Sequence, residues 1–156
     1  MFIPIKLKPL LASLLISLGV GGLSALLTKN NMSVYSSLIQ PPLAPPGFIF
    51  PVVWTILFIL MGISAYLVAV SPSEEKTSAL TIYGVQLVIN FFWSIFFFNL
   101  KNYTFSFLWL LLLLVFIVIM TVKFYRINKT AGLLQIPYLL WVIFAGYLNL
   151  MISLLN

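Results

Sequence analysis

Five uninterrupted apolar stretches dominate the chain, at about Leu10 to Leu27, Phe48 to Val70, Ala79 to Leu100, Thr104 to Tyr125 and Leu133 to Leu155. A helix needs roughly 20 apolar residues to cross the hydrocarbon core of a bilayer, and each stretch is long enough. Backbone amides in hydrocarbon have to be paired internally, which leaves either helices or a closed barrel. Barrel strands alternate apolar and polar residues, whereas Leu110 to Leu114 shows no alternation. The expectation is therefore an all-α membrane protein, a five-transmembrane-helix bundle forming one domain over residues 1–156. Turn and cap residues separate the stretches: Pro4 and Pro9, then QPPLAPP, SPSEEKT, KNY and RINKTAG. The first stretch is read as a retained span, because its apolar run exceeds the length of a leader and no clear small-residue cleavage site follows.

The formal charge of +6 is scattered between apolar segments and makes no basic stripe, so no nucleic acid is expected as a partner. It bears on orientation instead. In a five-span layout Lys6, Lys8, Lys76, Lys123, Arg126 and Lys129 fall on one side, and Lys29 and Lys101 on the other. Cytoplasmic loops carry the excess of Lys and Arg. The amino terminus is thus expected in the cytoplasm, with the carboxyl terminus and the proline loop outside.

Polar side chains inside a span have to find partners, so they mark the faces that point inward. Tyr83, Gln86, Asn90 and Ser94 share one face of the third span, spaced three or four residues apart. Tyr138, Trp141, Ala145 and Asn149 repeat the device in the fifth, and Pro51, Trp54, Phe58, Met61 and Ala65 line up in the second. Interhelical packing alone accounts for such stripes in many membrane proteins. Three of them together also suit an apolar pocket with a few oriented hydrogen-bonding groups. The fourth span, with only Ser106 and Thr121 among aliphatic and aromatic residues, is expected at the periphery. Ser17, Gly21 and Ala25 in the first span read as a close-packing seam.

Several chemistries are excluded. The chain has no cysteine and no histidine, which removes disulfides, thiolate nucleophiles and most metal sites, so no metal and no resident cofactor are expected. Glu74 and Glu75, the only acidic residues, lie between spans, so the intramembrane carboxylate typical of ion-coupled transport is missing.

The blocks QPPLAPPGFIFPVVWTILFILMG, YGVQLVINFFWSIFFF and QIPYLLWVIFAGYLNLMISLLN resemble the signature regions of the TspO/MBR family, the translocator proteins or tryptophan-rich sensory proteins. The resemblance covers nearly the whole chain. It implies a bundle that is often a homodimer and that binds porphyrins such as protoporphyrin IX and benzodiazepine-site drugs including isoquinoline carboxamides. A bacterial cell membrane is the expected location, because the basic residue of the animal-type sterol motif is missing after Tyr147. Matching motif positions makes Tyr35, Trp54, Phe58, Asn90, Trp93, Trp141, Ala145 and Leu148 candidate ligand contacts, and the polar stripes add Gln86 and Tyr138. Some bacterial members are described as degrading porphyrin in light, which makes Trp54 and Trp141 the candidate catalytic residues if the chemistry is photochemical. Two departures are visible: Val34 stands where the family often has tryptophan, and no basic residue follows Tyr147, which argues against a sterol site of the animal type. The proline pairs at 41–42 and 45–46 restrict the loop backbone, and a stiff loop suits a lid over the pocket.

Overall fold

The computed structural model describes residues 4–156, and it is helical almost throughout. Five helices in it are long and apolar enough to cross a membrane. The order is α1 (Leu7–Thr28), α2 (Val34–Ser37), α3 (Ile49–Ala69), α4 (Lys76–Ser94), α5 (Tyr103–Ile127), α6 (Lys129–Leu134) and α7 (Ile136–Leu155). A 3₁₀ turn, Lys29–Asn31, follows α1, and a π-helical segment, Ile95–Asn99, prolongs α4. Pro137 sits in the first turn of α7, where its missing N–H has no carbonyl to lose. Asn102 and Asn128 cap α5 and α6 by accepting from Phe105 N (3.0 Å) and Ala131 N (3.1 Å).

Lipid gives no hydrophobic drive between helices, so close approach and hydrogen bonds hold a bundle together. The α1–α3 contact uses both. Ser13 and Ser17 donate to the carbonyls of Gly62 (2.6 Å) and Phe58 (2.7 Å) on α3. A Cβ on Gly62 would stand 2.8 Å from Ser17 Oγ and 3.1 Å from the Leu14 Cα, so only glycine lets the two backbones come this near. Of the seam read from Ser17, Gly21 and Ala25, Ser17 therefore lies in a packing contact, while Gly21 and Ala25 border the cavity described below. Elsewhere α1 is lightly held, and Ser17 and Thr28 are its only buried residues.

The placement of α5 corrects the sequence reading. It packs against α4, α6 and α7 and buries Leu110, Leu113, Ile117, Met120 and Phe124 in the main core, turning the opposite aliphatic face outward. The peripheral helix is α1. Neighbouring leucines and lipid chains are equally apolar, which explains why residue type could not tell these positions apart.

At the end of α5, Asn128 breaks the helix with φ −148° and ψ 116°, and α6 folds back against Tyr125. At the other end, the 29–48 connection and the carboxyl end of α7 lie together, joined by hydrogen bonds between Ile39 and Asn156. α3 and α7 make few close backbone contacts. They meet through rings, Trp54 against Tyr138 (6.1 Å between centroids) and Phe50 against Trp141 (5.8 Å). That separation leaves room for a cavity.

Candidate functional site

The cavity has a volume of about 150 Å³ and lies between α1, α3, α4 and α7, beneath the loop. From α3 come Phe50, Pro51, Trp54 and Phe58, and from α4 come Asn90, Trp93 and Ser94. The π-helical segment adds Phe97 and Phe98, and α7 adds Ala145, Leu148, Asn149 and Ile152. α1 contributes Gly21, Ser24, Ala25 and Thr28, while Met32 and Tyr35 close the top.

Rings brace one another around this space. Trp54 lies 5.7 Å from Phe58, Trp93 stacks on Phe97 at 5.2 Å, and Phe50 meets Tyr35 edge-on at 4.9 Å. Such pairs favour fixed geometry and contribute roughly 0.5–1.5 kcal/mol each beyond burial. The π-helical turn widens the helix over Ile95–Asn99, with Leu100 N reaching back to Ile95 O (3.0 Å). π-turns inside α-helices recur at functional sites.

Polar groups are few and mostly paired. Trp93 Nε1 donates to Asn149 Oδ1 (3.0 Å), and Asn149 Nδ2 donates to Tyr103 O (2.8 Å), which ties α4, α5 and α7 together at the cavity edge. Asn90 Nδ2 donates to the Tyr138 hydroxyl (2.7 Å), which in turn donates to Gln86 Oε1 (2.6 Å). Ser24 and Ser94 are hydrogen-bonded across the α1–α4 contact. With no His, Cys or carboxylate on its wall, the cavity offers a ligand aromatic surface and neutral dipoles, not acid–base groups.

Of the ten candidate residues, Tyr35, Trp54, Phe58, Asn90, Trp93, Ala145 and Leu148 stand on the cavity wall. Gln86, Tyr138 and Trp141 do not. Gln86 and Tyr138 are fully buried below Asn90 and reach the cavity only through its amide. Trp141 sits behind Phe50, whose ring takes the wall position. Sequence reasoning missed Phe50, the π-turn phenylalanines and the contribution of α1. The small residues Gly21, Ser24 and Ala25 were the available signal, since side chains that let helices approach also leave space.

The loop is latched. The Tyr35 hydroxyl donates to Pro45 O (2.9 Å), Gln40 Nε2 to Tyr35 O (2.8 Å), and the Tyr147 hydroxyl to Pro42 O (2.7 Å). Asn156 clasps the Ile39 backbone twice, accepting from its N and donating to its O, both at 3.0 Å. Burial pushes the Tyr35 hydroxyl above its ordinary pKa, so it stays a donor at neutral pH. A net hydrogen bond contributes roughly 0.5–1.5 kcal/mol. Asn156→Ala combined with Tyr147→Phe is accordingly expected to raise amide exchange in residues 36–44 about tenfold or more, as read by mass spectrometry. Unchanged exchange there would mean that the latch does not hold the loop.

Residues 12–155 match the TspO/MBR family. The chain belongs to the TspO/MBR family. It is 40% identical over 124 residues to the tryptophan-rich protein TspO of Chlorobaculum tepidum, covering 78% of each chain. With a second tryptophan-rich protein TspO, from Archaeoglobus fulgidus, it shares 33% identity over 148 residues, 94% of this chain and 96% of that one. The translocator protein of Bos taurus is 33% identical over 141 residues, 88% of this chain and 83% of that one. Within the family, then, this is a multi-pass membrane protein of five spans whose cavity lies under the connection between the first two.

Proposed function

We propose that the protein is a membrane receptor for a planar aromatic tetrapyrrole, protoporphyrin IX, with a sensory or regulatory role, and that the same cavity takes isoquinoline carboxamide-type drugs. The observation carrying this reading is the joint placement of Trp54, Phe58, Trp93 and Asn90 on one enclosed wall: stacking surface with a single oriented amide. The name of one relative, translocator protein, agrees with a ligand-handling role.

Size makes binding a conformational event. Ligand pockets usually run to roughly 300–1,000 Å³, well above the 150 Å³ found here. A porphyrin would enter only as the loop lifts or the lightly held α1 moves outward. Porphyrin titration is expected to quench tryptophan fluorescence, and Trp54→Phe to weaken the apparent affinity about fivefold through loss of stacking area. Trp141→Phe should change it less, because Phe50 stands between Trp141 and the cavity. Equal curves for wild type and Trp54→Phe would remove the pocket assignment.

Topology and assembly belong to the same reading. Lys6, Lys8, Lys76, Lys123, Arg126 and Lys129 gather at the end away from the loop, so that end is the cytoplasmic one in a bacterial cell membrane, with loop and carboxyl terminus outside. A reporter inserted at Glu74 should be active in the cytoplasm, and periplasmic activity there would reverse the topology. The functional unit in this reading is a homodimer.

A further inference from the structure

Where α5 begins and α7 ends, the bundle carries a second pocket, open to solvent and separate from the cavity. Lys101, Asn102, Tyr103, Thr104, Ser153 and Asn156 line it, and polar groups make up most of its wall. Their free hydrogen-bonding capacity is mainly that of donors. Lys101 brings three N–H donors and no acceptor. Asn102 Oδ1 already accepts from Phe105 N (3.0 Å), so Nδ2 is the free end of its amide. Thr104 Oγ1 and Ser153 Oγ share one hydrogen bond at 2.7 Å, which uses one of their two hydroxyl protons and leaves the other. Asn156 is engaged with Ile39 and Ile152 and serves as frame. The acidic side chains of the protein, Glu74 and Glu75, lie between α3 and α4 at the opposite end of the bundle. A cation with convergent donors and no carboxylate side chain beside it suits an anionic oxygen group, above all a phosphate.

Lys101 takes φ 54°, in the left-handed region that a residue with a Cβ enters only at an energetic cost. Residues held there gather at ligand sites. Two spans end at this level, so the pocket sits where hydrocarbon gives way to headgroups. Exposed apolar side chains adjoin it: Leu100 on its wall, and Phe105 and Leu154 next in the chain to Thr104 and Ser153. An occupant with a phosphate for the donors and acyl chains for this apolar border is a phospholipid. No carboxylate side chain stands ready for the ammonium of a choline headgroup, so a glycerol headgroup fits better. The pocket also shares residues with the roof and edge of the cavity. Asn156 clasps Ile39. Tyr103 packs on Phe97 of the cavity wall, 5.0 Å between centroids, and its carbonyl accepts from Asn149. We propose that this pocket binds the phosphate of a phospholipid of the phosphatidylglycerol type, and that its occupancy holds the loop down over the cavity.

The test uses the full chain in nanodiscs of phosphatidylcholine with a minority of phosphatidylglycerol, read by native mass spectrometry and by amide exchange in residues 36–44. Wild type is expected to retain phosphatidylglycerol about tenfold better than Lys101→Asn, because that variant loses a charge-assisted hydrogen bond. Asparagine tolerates the left-handed backbone, so the variant keeps the fold. Lys29→Gln removes the other cation at this end of the bundle but none from the pocket, and should bind as wild type does. Equal retention in wild type and Lys101→Asn, or equal loss in Lys101→Asn and Lys29→Gln, overturns the site. In wild type, phosphatidylglycerol should slow exchange in residues 36–44 about threefold, and in Lys101→Asn it should not. Wild-type rates that ignore phosphatidylglycerol overturn the coupling to the loop. Inorganic phosphate added to lipid-depleted protein in detergent should leave those rates unchanged. Slowing by phosphate alone would overturn the lipid as occupant. These readouts hold whatever fills the cavity, so their failure leaves the tetrapyrrole reading standing.

Discussion

Gly132→Ala is expected to lower the melting temperature of the protein in detergent or nanodiscs more than any other single-methyl change. A Cβ at this position would sit 2.5 Å from the Tyr125 Cβ, 2.6 Å from its Cα and 2.8 Å from its backbone nitrogen. Two of those three atoms are main chain, within helix α5, and cannot swing aside as a side-chain tip would. The α5–α6 elbow would have to open, and with it the buried pairing in which Ser64 Oγ donates to Ala131 O (2.7 Å) and Gln135 Nε2 to Ser64 Oγ (3.0 Å). Overpacking typically costs 1–3 kcal/mol, and a backbone clash belongs at the upper end, about 3 kcal/mol. For a chain of this length that corresponds to roughly 6–12 °C. Gly19→Ala and Gly22→Ala are the controls, since nothing lies within 4 Å of a Cβ built on either. Alanine there should be neutral or slightly stabilising, given its higher helix propensity. A Gly132→Ala protein melting together with wild type would show that the elbow is more pliable than its geometry implies.

The second large effect concerns the ligand. Ala145 lies on the cavity wall between Trp141 and Asn149 on α7, and it is 7% exposed. Phenylalanine at this position would place a ring in a space of only about 150 Å³ and occupy much of it. Porphyrin affinity is expected to fall about a hundredfold or more, because the occupied volume cannot be regained by lifting the loop. The ring fills a void, so the cost to the fold should stay within the 1–3 kcal/mol of overpacking. A folded Ala145→Phe protein that binds porphyrin as tightly as wild type would move the binding site elsewhere.

The five spans were legible because their lengths and composition leave a chain no other way to pair its backbone in hydrocarbon. The stripes through Asn90, Trp54 and Ala145 were legible for a related reason: a polar or small residue inside a span has to face protein, and helical spacing shows which of its neighbours face the same way. Trp141 shows where that logic stops. Helical spacing puts it on the same face of α7 as Ala145, about 40° away, yet Phe50 from α3 packs against it and takes the wall position. The π-helical turn at Ile95–Asn99 left no mark in a run of phenylalanines that reads equally well as regular helix. Nor could sequence assign α5 to the interior and α1 to the rim, because hydropathy measures how well a helix suits lipid and not which helices touch it.

The clasp between Asn156 and Ile39 has a practical corollary for anyone handling this protein. A purification tag or fluorescent partner fused directly behind Asn156 hangs from the roof of the cavity. Its drag would be felt by the very segment that has to move for a guest to enter. Dissociation constants obtained from such fusions would describe a protein whose loop is propped open, and a tag placed at the opposite end, ahead of Lys6, leaves that roof as the chain built it.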